Sequence, residues 1–264
     1  MHLEISIGCT GWGYDGWIGT FYPKNLVKSD FLKHYSSIFD TTEINSTFYA
    51  IPNSAIVKKW YADTPNHFKF TAKLPQIITH DSRLGNLSVL ESFLQSVKFL
   101  GSKFLFTLVQ LPPSLSFDEA KPKLESLASY FPRNDFVLEG RHKSWFSDSA
   151  IKYLSDKKIC LAWSDVAGVE NPAPITSDHI YLRLIGDRTI PEAEFGRLQK
   201  DRTSQMKSWI EKLNKIQDKI PHAMILANNR YEGFGPATAN KLRLLLGLDE
   251  LSFADKKQRT LFQS

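Results

Sequence analysis

The stretch FVLEGRHKSW, residues 136–145, runs from apolar to ionisable within the length of one strand. It sets Glu139, Arg141, His142 and Lys143 close to Trp145. Side chains alternate between the two faces of a strand, so Glu139 and Arg141 share a side. Other apolar runs end in the same way. TTEINST carries Glu43 and Asn45, HFKFTAK ends in Lys73, and KFLFTLVQ ends in Gln110. ICLAWSD ends in Asp165, HIYLRLIG holds Arg183, and Asn228 follows HAMILA. Turned toward one centre, Glu43, Glu139 and Asp165 would meet Lys73, Arg141 and Arg183. Buried ions of opposite sign must pair, so part of this set would be scaffold for the rest.

Several chemistries compete for these residues. Carboxylates on neighbouring strands, such as Glu139 and Asp165, can split their pKa values into an acid and a base. Glu43 or Glu139 is then the candidate proton carrier. His80 and His142 are candidate shuttles, although a lone histidine is more often structural. A retaining glycosidase of the common barrel type would place carboxylates where Gln110 and Arg183 stand, which counts against that reaction. Glu43, Glu139, Asp165, His80 and His142 could ligate a divalent metal. However, three cations among them would repel it, and no HxH or HExxH spacing occurs, so neither a metal nor another cofactor is expected. An anion suits Lys73, Arg141 and Arg183 better, because a guanidinium grips carboxylate or phosphate with paired hydrogen bonds. Asn45, Gln110, Asp165, Asn228 and Asn229 join them as candidate binding residues. The glycines of NNRYEGFGPATAN, 228–240, could add backbone N–H groups at a helix start. Trp12, Tyr14, Trp17, Phe48, Tyr49 and Trp145 either stack on a sugar or base or seal the long first loop. No GxSxG elbow or P-loop is present.

Eight strand-length runs would position these side chains, at 4–10, 41–47, 67–73, 103–110, 135–141, 159–165, 179–186 and 222–228. Helical stripes separate most of them, with Asn53 and Ser147 as N-caps and Pro236 opening the last. Between 165 and 179 two prolines and no stripe predict a loop. Strand–helix alternation predicts parallel strands with right-handed crossovers. The expected architecture is therefore one (β/α)8 TIM-type barrel domain over 1–264, its helix between strands six and seven absent or degenerate. A doubly wound open sheet is the rival, and no GxGxxG follows the first strand. The mouth at the carboxyl ends of the strands is where such barrels place their chemistry.

The 264 residues carry a formal net charge of +5, which permits an anionic partner without requiring one. The densest basic block is KKQR at 256–259. Cys9 and Cys160 fall in separate strands without metal-type spacing and read as reduced core thiols. Neither a leader sequence nor a membrane-length apolar run is evident, so a cytoplasmic protein is expected.

The motifs GCTGWGYDGWIGTFYP, TTEINSTFY, TPNHFKFTAKLPQIITH, LVQLPPS, EGRHKSW and LANNRYEGFGPATANKL resemble, in order and over nearly the whole chain, the YecE-like family, a domain of unknown function (number 72). The resemblance implies a TIM-type barrel with a pocket at its carboxyl face and no established reaction. Its signature positions fall on Trp12, Tyr14, Trp17, Glu43, Asn45, Lys73, His80, Gln110, Glu139, Arg141, His142, Trp145, Arg183, Asn228 and Asn229. Two positions depart from the pattern. Gly140 replaces a phenylalanine and should loosen the packing behind the fifth strand. Ile185 replaces a histidine, so a reaction that relatives run through that group would be altered or lost here.

The expected function is an enzyme of hydrolase or proton-transfer, isomerase-like type. Its substrate would be small and anionic, with sugar- or nucleotide-containing molecules included. The alternative is a non-catalytic binder of an anionic metabolite or single-stranded nucleic acid.

Overall fold

The computed structural model describes residues 3–133 and 135–253, so the basic block at 256–259 lies outside the described residues. Among the described residues nine parallel strands form one sheet. They are β1 (Glu4–Cys9), β2 (Thr41–Ile44), β3 (Lys69–Lys73), β4 (Phe104–Gln110), β5 (Phe136–Glu139), β6 (Cys160–Leu161), β7 (Trp163–Val166), β8 (His179–Gly186) and β9 (His222–Ala227). Each of β1 to β5 pairs with the next, β5 pairs with β6, β7 with β8, β8 with β9, and β9 returns to β1. The single sixth run expected at 159–165 is broken in two. Only Ala162 separates β6 from β7, and its N–H still donates to Leu138 O at 2.8 Å, so the chain itself closes the ring.

Eight α-helices accompany the strands among the described residues. They are α1 (Phe31–Ser36), α2 (Ser54–Asp63), α3 (Leu90–Val97), α4 (Phe117–Ala128), α5 (Asp148–Asp156), α6 (Thr203–Asn214), α7 (Asn229–Glu232) and α8 (Gly235–Leu245). Asn53 accepts from Ile56 N and Ser147 from Ala150 N, the expected side-chain caps. Pro236 lies in the first turn of α8, where its missing N–H costs nothing. The one-turn α7 was hidden in what reads as a glycine-rich loop, since four residues are too few to show a stripe.

No helix fills the segment between β7 and β8, and that segment does a helix's work by hydrogen bonding. Thr176 Oγ1 accepts from Leu161 N, Asn171 Nδ2 donates to Ala162 O, and Pro174 O accepts from Trp163 Nε1. These bonds satisfy backbone groups that the strand break would otherwise strand in the core.

Most apolar burial lies between the sheet and the helices. A second cluster fills the bore: Leu108, Val137, Cys160, Ala162, Tyr181, Met224 and Leu226. The expected inward faces of the fourth, fifth, seventh and eighth strands match this cluster. The sixth does not. Cys160 and Ala162 point inward, while Leu161 and Trp163 join the outer layer, where Trp163 packs on Trp209 of α6 with centroids 6.0 Å apart. Both faces of that run are apolar or small, so its alternation carries no sign. The narrow bore takes the small residues and the helix layer takes the tryptophan.

Candidate functional site

At the carboxyl ends of the strands a row of ions crosses the barrel. Glu43 lies on β2, Arg183 on β8 and Glu139 at the end of β5, and Arg141 follows it. Arg183 Nε and Nη2 donate to the two oxygens of Glu43 at 2.9 and 2.6 Å, and its Nη1 donates to Glu139 Oε2. Arg141 Nε takes the other Glu139 oxygen at 2.8 Å. Tyr181 OH also donates to Glu43, at 2.8 Å, and is itself 2.7 Å from the Thr71 hydroxyl. Both glutamates and Arg183 are buried. Burial alone would raise the Glu139 pKa, but the charges and hydrogen bonds of Arg183 and Arg141 outweigh it and hold the group at about 2. Burial likewise opposes the charge on Arg183, and the two carboxylates overcome that and push its pKa upward.

Above this floor opens a cavity of about 340 Å³. Five of its lining residues are cationic (Lys73, Arg141, Arg183, Arg188 and Arg230), and two, Asp187 and Glu192, are acidic. Asp187 is already bound by Lys200 and Arg202, each at 2.6 Å. Arg230 donates to Ile190 O at 2.9 Å and lies over the Phe195 ring. Lys73 has no carboxylate within ion-pair distance among the described residues. Its Nζ sits 3.7 Å from the centroid of Phe48 instead. Burial lowers its pKa to about 7; Arg183 and Arg141 add to the effect, and Glu139 and Glu43 only partly oppose it. The Phe48 ring meets His80 edge-on at 5.0 Å. His80 Nδ1 bonds the Thr79 hydroxyl at 2.8 Å, and burial with the Lys73 and Arg141 charges lowers the imidazole to about 4.

The other candidates divide into two groups. Asn45, Gln110, Asn228 and Tyr14 line the cavity, with Phe48 and Tyr49, and Tyr49 is 82% exposed at the rim. Asp165 is turned away by the reversed parity of its strand. It accepts from Trp209 Nε1 at 2.9 Å and Tyr231 OH at 2.7 Å in the helix layer. His142 Nδ1 caps its own turn by accepting from Ser144 N at 3.2 Å, and it lies 2.8 Å from the Ser144 hydroxyl. Trp12 packs edge-on against Trp60 and Phe70, and Trp17 is wholly buried. Asn229 Oδ1 accepts from Trp17 Nε1 and Gly235 N, while Asn228 Oδ1 accepts from Arg230 N. Two of the backbone donors of the 228–240 segment, Arg230 N and Gly235 N, are thus used by its own asparagines. Arg188, Arg230, Phe195 and Glu192 were not foreseen. They lie beyond the strand ends, where no alternation marks a direction; their only signal was proximity to NNRYEG and the end of the seventh run.

Among the described residues no three His, Cys, Asp or Glu side chains gather where they could hold a metal ion. A larger cavity, about 670 Å³, opens at the amino ends of the strands. Its charged groups are largely paired, as in Glu4 with His222 and Asp178 with His179.

A family model described as "Protein of unknown function DUF72" matches residues 6–261. The chain belongs to the DUF72 family. It is 25% identical over 285 residues to the UPF0759 protein YunF of Bacillus subtilis (strain 168), covering 96% of this chain and 98% of that protein. It is 26% identical over 144 residues to the UPF0759 protein YecE of Escherichia coli (strain K12), covering 54% of this chain and 50% of that one. A DUF72 protein of Thermotoga maritima has a similar crystal structure, with a TM-score of 0.80 at 25% identity over 93% of this chain and 100% of its own. One from Enterococcus faecalis shares the fold, with a TM-score of 0.74 at 20% identity over 94% and 99%.

In this DUF72 member the glycine at 140 does not loosen the packing behind β5. The Trp145 indole fills the space: a Cβ at Gly140 would overlap its ring carbons. Trp145 is buried, bonded through Nε1 to Leu115 O at 2.9 Å and set edge-on to Phe117, away from the mouth. Ile185 lines the cavity, so the departure there puts an apolar side chain at the mouth itself.

Proposed function

We propose that the mouth binds a small anionic substrate and transfers a proton to or from it, as an isomerase-like enzyme does. The observation that carries this reading is the imbalance between floor and wall. Each floor carboxylate is already held by arginine, while the wall presents Lys73, Arg141, Arg188 and Arg230 around one cavity. An anion entering it would meet guanidinium donors in a concave, partly desolvated setting, where charged hydrogen bonds are strongest. Glu43 and Glu139 then serve as the brace that positions Arg141 and Arg183. Lys73 is the group able to exchange a proton near neutrality, since it has been pushed toward its uncharged form.

The test is a thermal-shift and calorimetric screen of inorganic phosphate, sugar phosphates and small carboxylates. Binding should weaken about tenfold in Arg188→Ala and in Arg141→Ala, the scale of one lost charged hydrogen bond. Equal affinity in both variants and wild type would place the anion elsewhere.

A further inference from the structure

If the mouth holds an anion as proposed above, Lys73 stands beside it with a role beyond moving a proton. Lys73 ends β3 on a fixed backbone: its carbonyl accepts from the Thr47 hydroxyl at 2.7 Å, and the next N–H, of Leu74, donates to Leu108 O at 2.9 Å. The side chain reaches the cavity beside Arg141 and Arg183, two permanent cations. One flank of its nitrogen is closed by the Phe48 face, and no carboxylate neutralises it. An ammonium in that position is repelled by the arginines and poorly hydrated, so the neutral amine, a nucleophile, is favoured. His80 meets the same phenylalanine edge-on, with its Nδ1 bonded to the Thr79 hydroxyl.

We propose that Lys73 forms an imine with its substrate, which is therefore a small anionic aldehyde or ketone. The amine lone pair attacks the carbonyl carbon, and the C=O π pair moves to oxygen. A proton passes from nitrogen to that oxygen, a second proton reaches it, and water leaves as the C=N bond forms. The protonated imine then draws electrons from the neighbouring C–H bond, and loss of that proton to solvent water gives an enamine. Return of a proton to the same carbon, from either face, restores the protonated imine, and addition of water then releases product and free amine. No oxidant or reductant enters.

Pyridoxal 5′-phosphate, used purely as a reagent carrying an aldehyde and a phosphate, tests this. The full chain is incubated with it near pH 7, the C=N bond is fixed with borohydride, and labelled lysines are located by peptide mass spectrometry. At that pH Lys73 has roughly a thousandfold more uncharged amine than an ordinary lysine. The expected result is labelling of Lys73 at least about tenfold above any other lysine, slowed by inorganic phosphate and weaker with phosphate-free pyridoxal. A folded Lys73→Arg variant should lose that label. Lys73 labelled no faster than exposed lysines overturns the imine. If phosphate still raises the wild-type melting temperature, the anion site stands without it; if phosphate has no effect and no label forms, both readings fall.

Discussion

Arg183 is bonded to two carboxylates at once, and its removal would leave Glu43 and Glu139 buried face to face. Breaking such a set by deleting one partner typically costs about 3–5 kcal/mol, so Arg183→Met should lower stability by that order in urea unfolding. A drop no larger than that of an exposed arginine would show that the brace is solvated. Glu139 adds a signature in pH. Its native value, about 2, lies below the ordinary 4.5. The stabilisation is fully present above about 4.5 and disappears as pH falls through about 2, because the unfolded chain binds the proton first. Glu139→Gln should therefore flatten the acid limb of a stability–pH curve in that window; an unchanged limb would contradict the pairing. Lys73 gives the same sign of pH dependence in a higher window. Its native value, about 7, lies below the ordinary 10.5, so the unfolded chain holds a proton that the native amine has lost. Between those values stability rises with pH, and Lys73→Met should remove that rise from a series of urea midpoints.

At the scale of the element, Gly140 and Trp145 form a unit. Gly140→Ala must displace the indole or the strand and should cost about 1–3 kcal/mol as overpacking. In a Trp145→Ala background, which removes the Cγ and Cδ1 atoms that a Cβ at Gly140 would meet, the same change should cost less, and a double-mutant cycle reads the coupling directly. Additive costs would mean that the ring does not fill the glycine's space. From sequence, that glycine signalled only a missing side chain, because its occupant comes from five residues further along the chain. The strands themselves were legible as β-branched and aromatic runs, and so were the caps at Asn53 and Ser147. The parity of 159–165 was not: Cys160, Ala162 and Ser164 alternate with Leu161, Trp163 and Asp165 without a polar face to orient them. Asp165 was lost from the mouth for that reason alone. Arg188 and Arg230 went unseen because loops and one-turn helices carry no period.

Over the whole molecule, alternating strands and helices sufficed to predict the barrel, and the carboxyl-end rule sufficed to predict where charges would collect. The cations of the mouth sit in a concavity above an acidic floor. A long phosphate backbone should find few of them at once. Binding of a labelled single-stranded oligonucleotide, followed by anisotropy, should be weak, whereas tight binding with a steep salt slope would favour the nucleic-acid alternative. No helix among the described residues is long and apolar enough to cross a membrane. The row Glu43–Arg183–Glu139–Arg141 and the apolar cluster around Leu108 and Tyr181 lie one above the other across the bore. Together they act as a double bulkhead. The chambers at the two ends are blind, so whatever enters the arginine-lined one must leave by the same door, and filling the chamber beside His179 and His222 should leave its occupancy untouched.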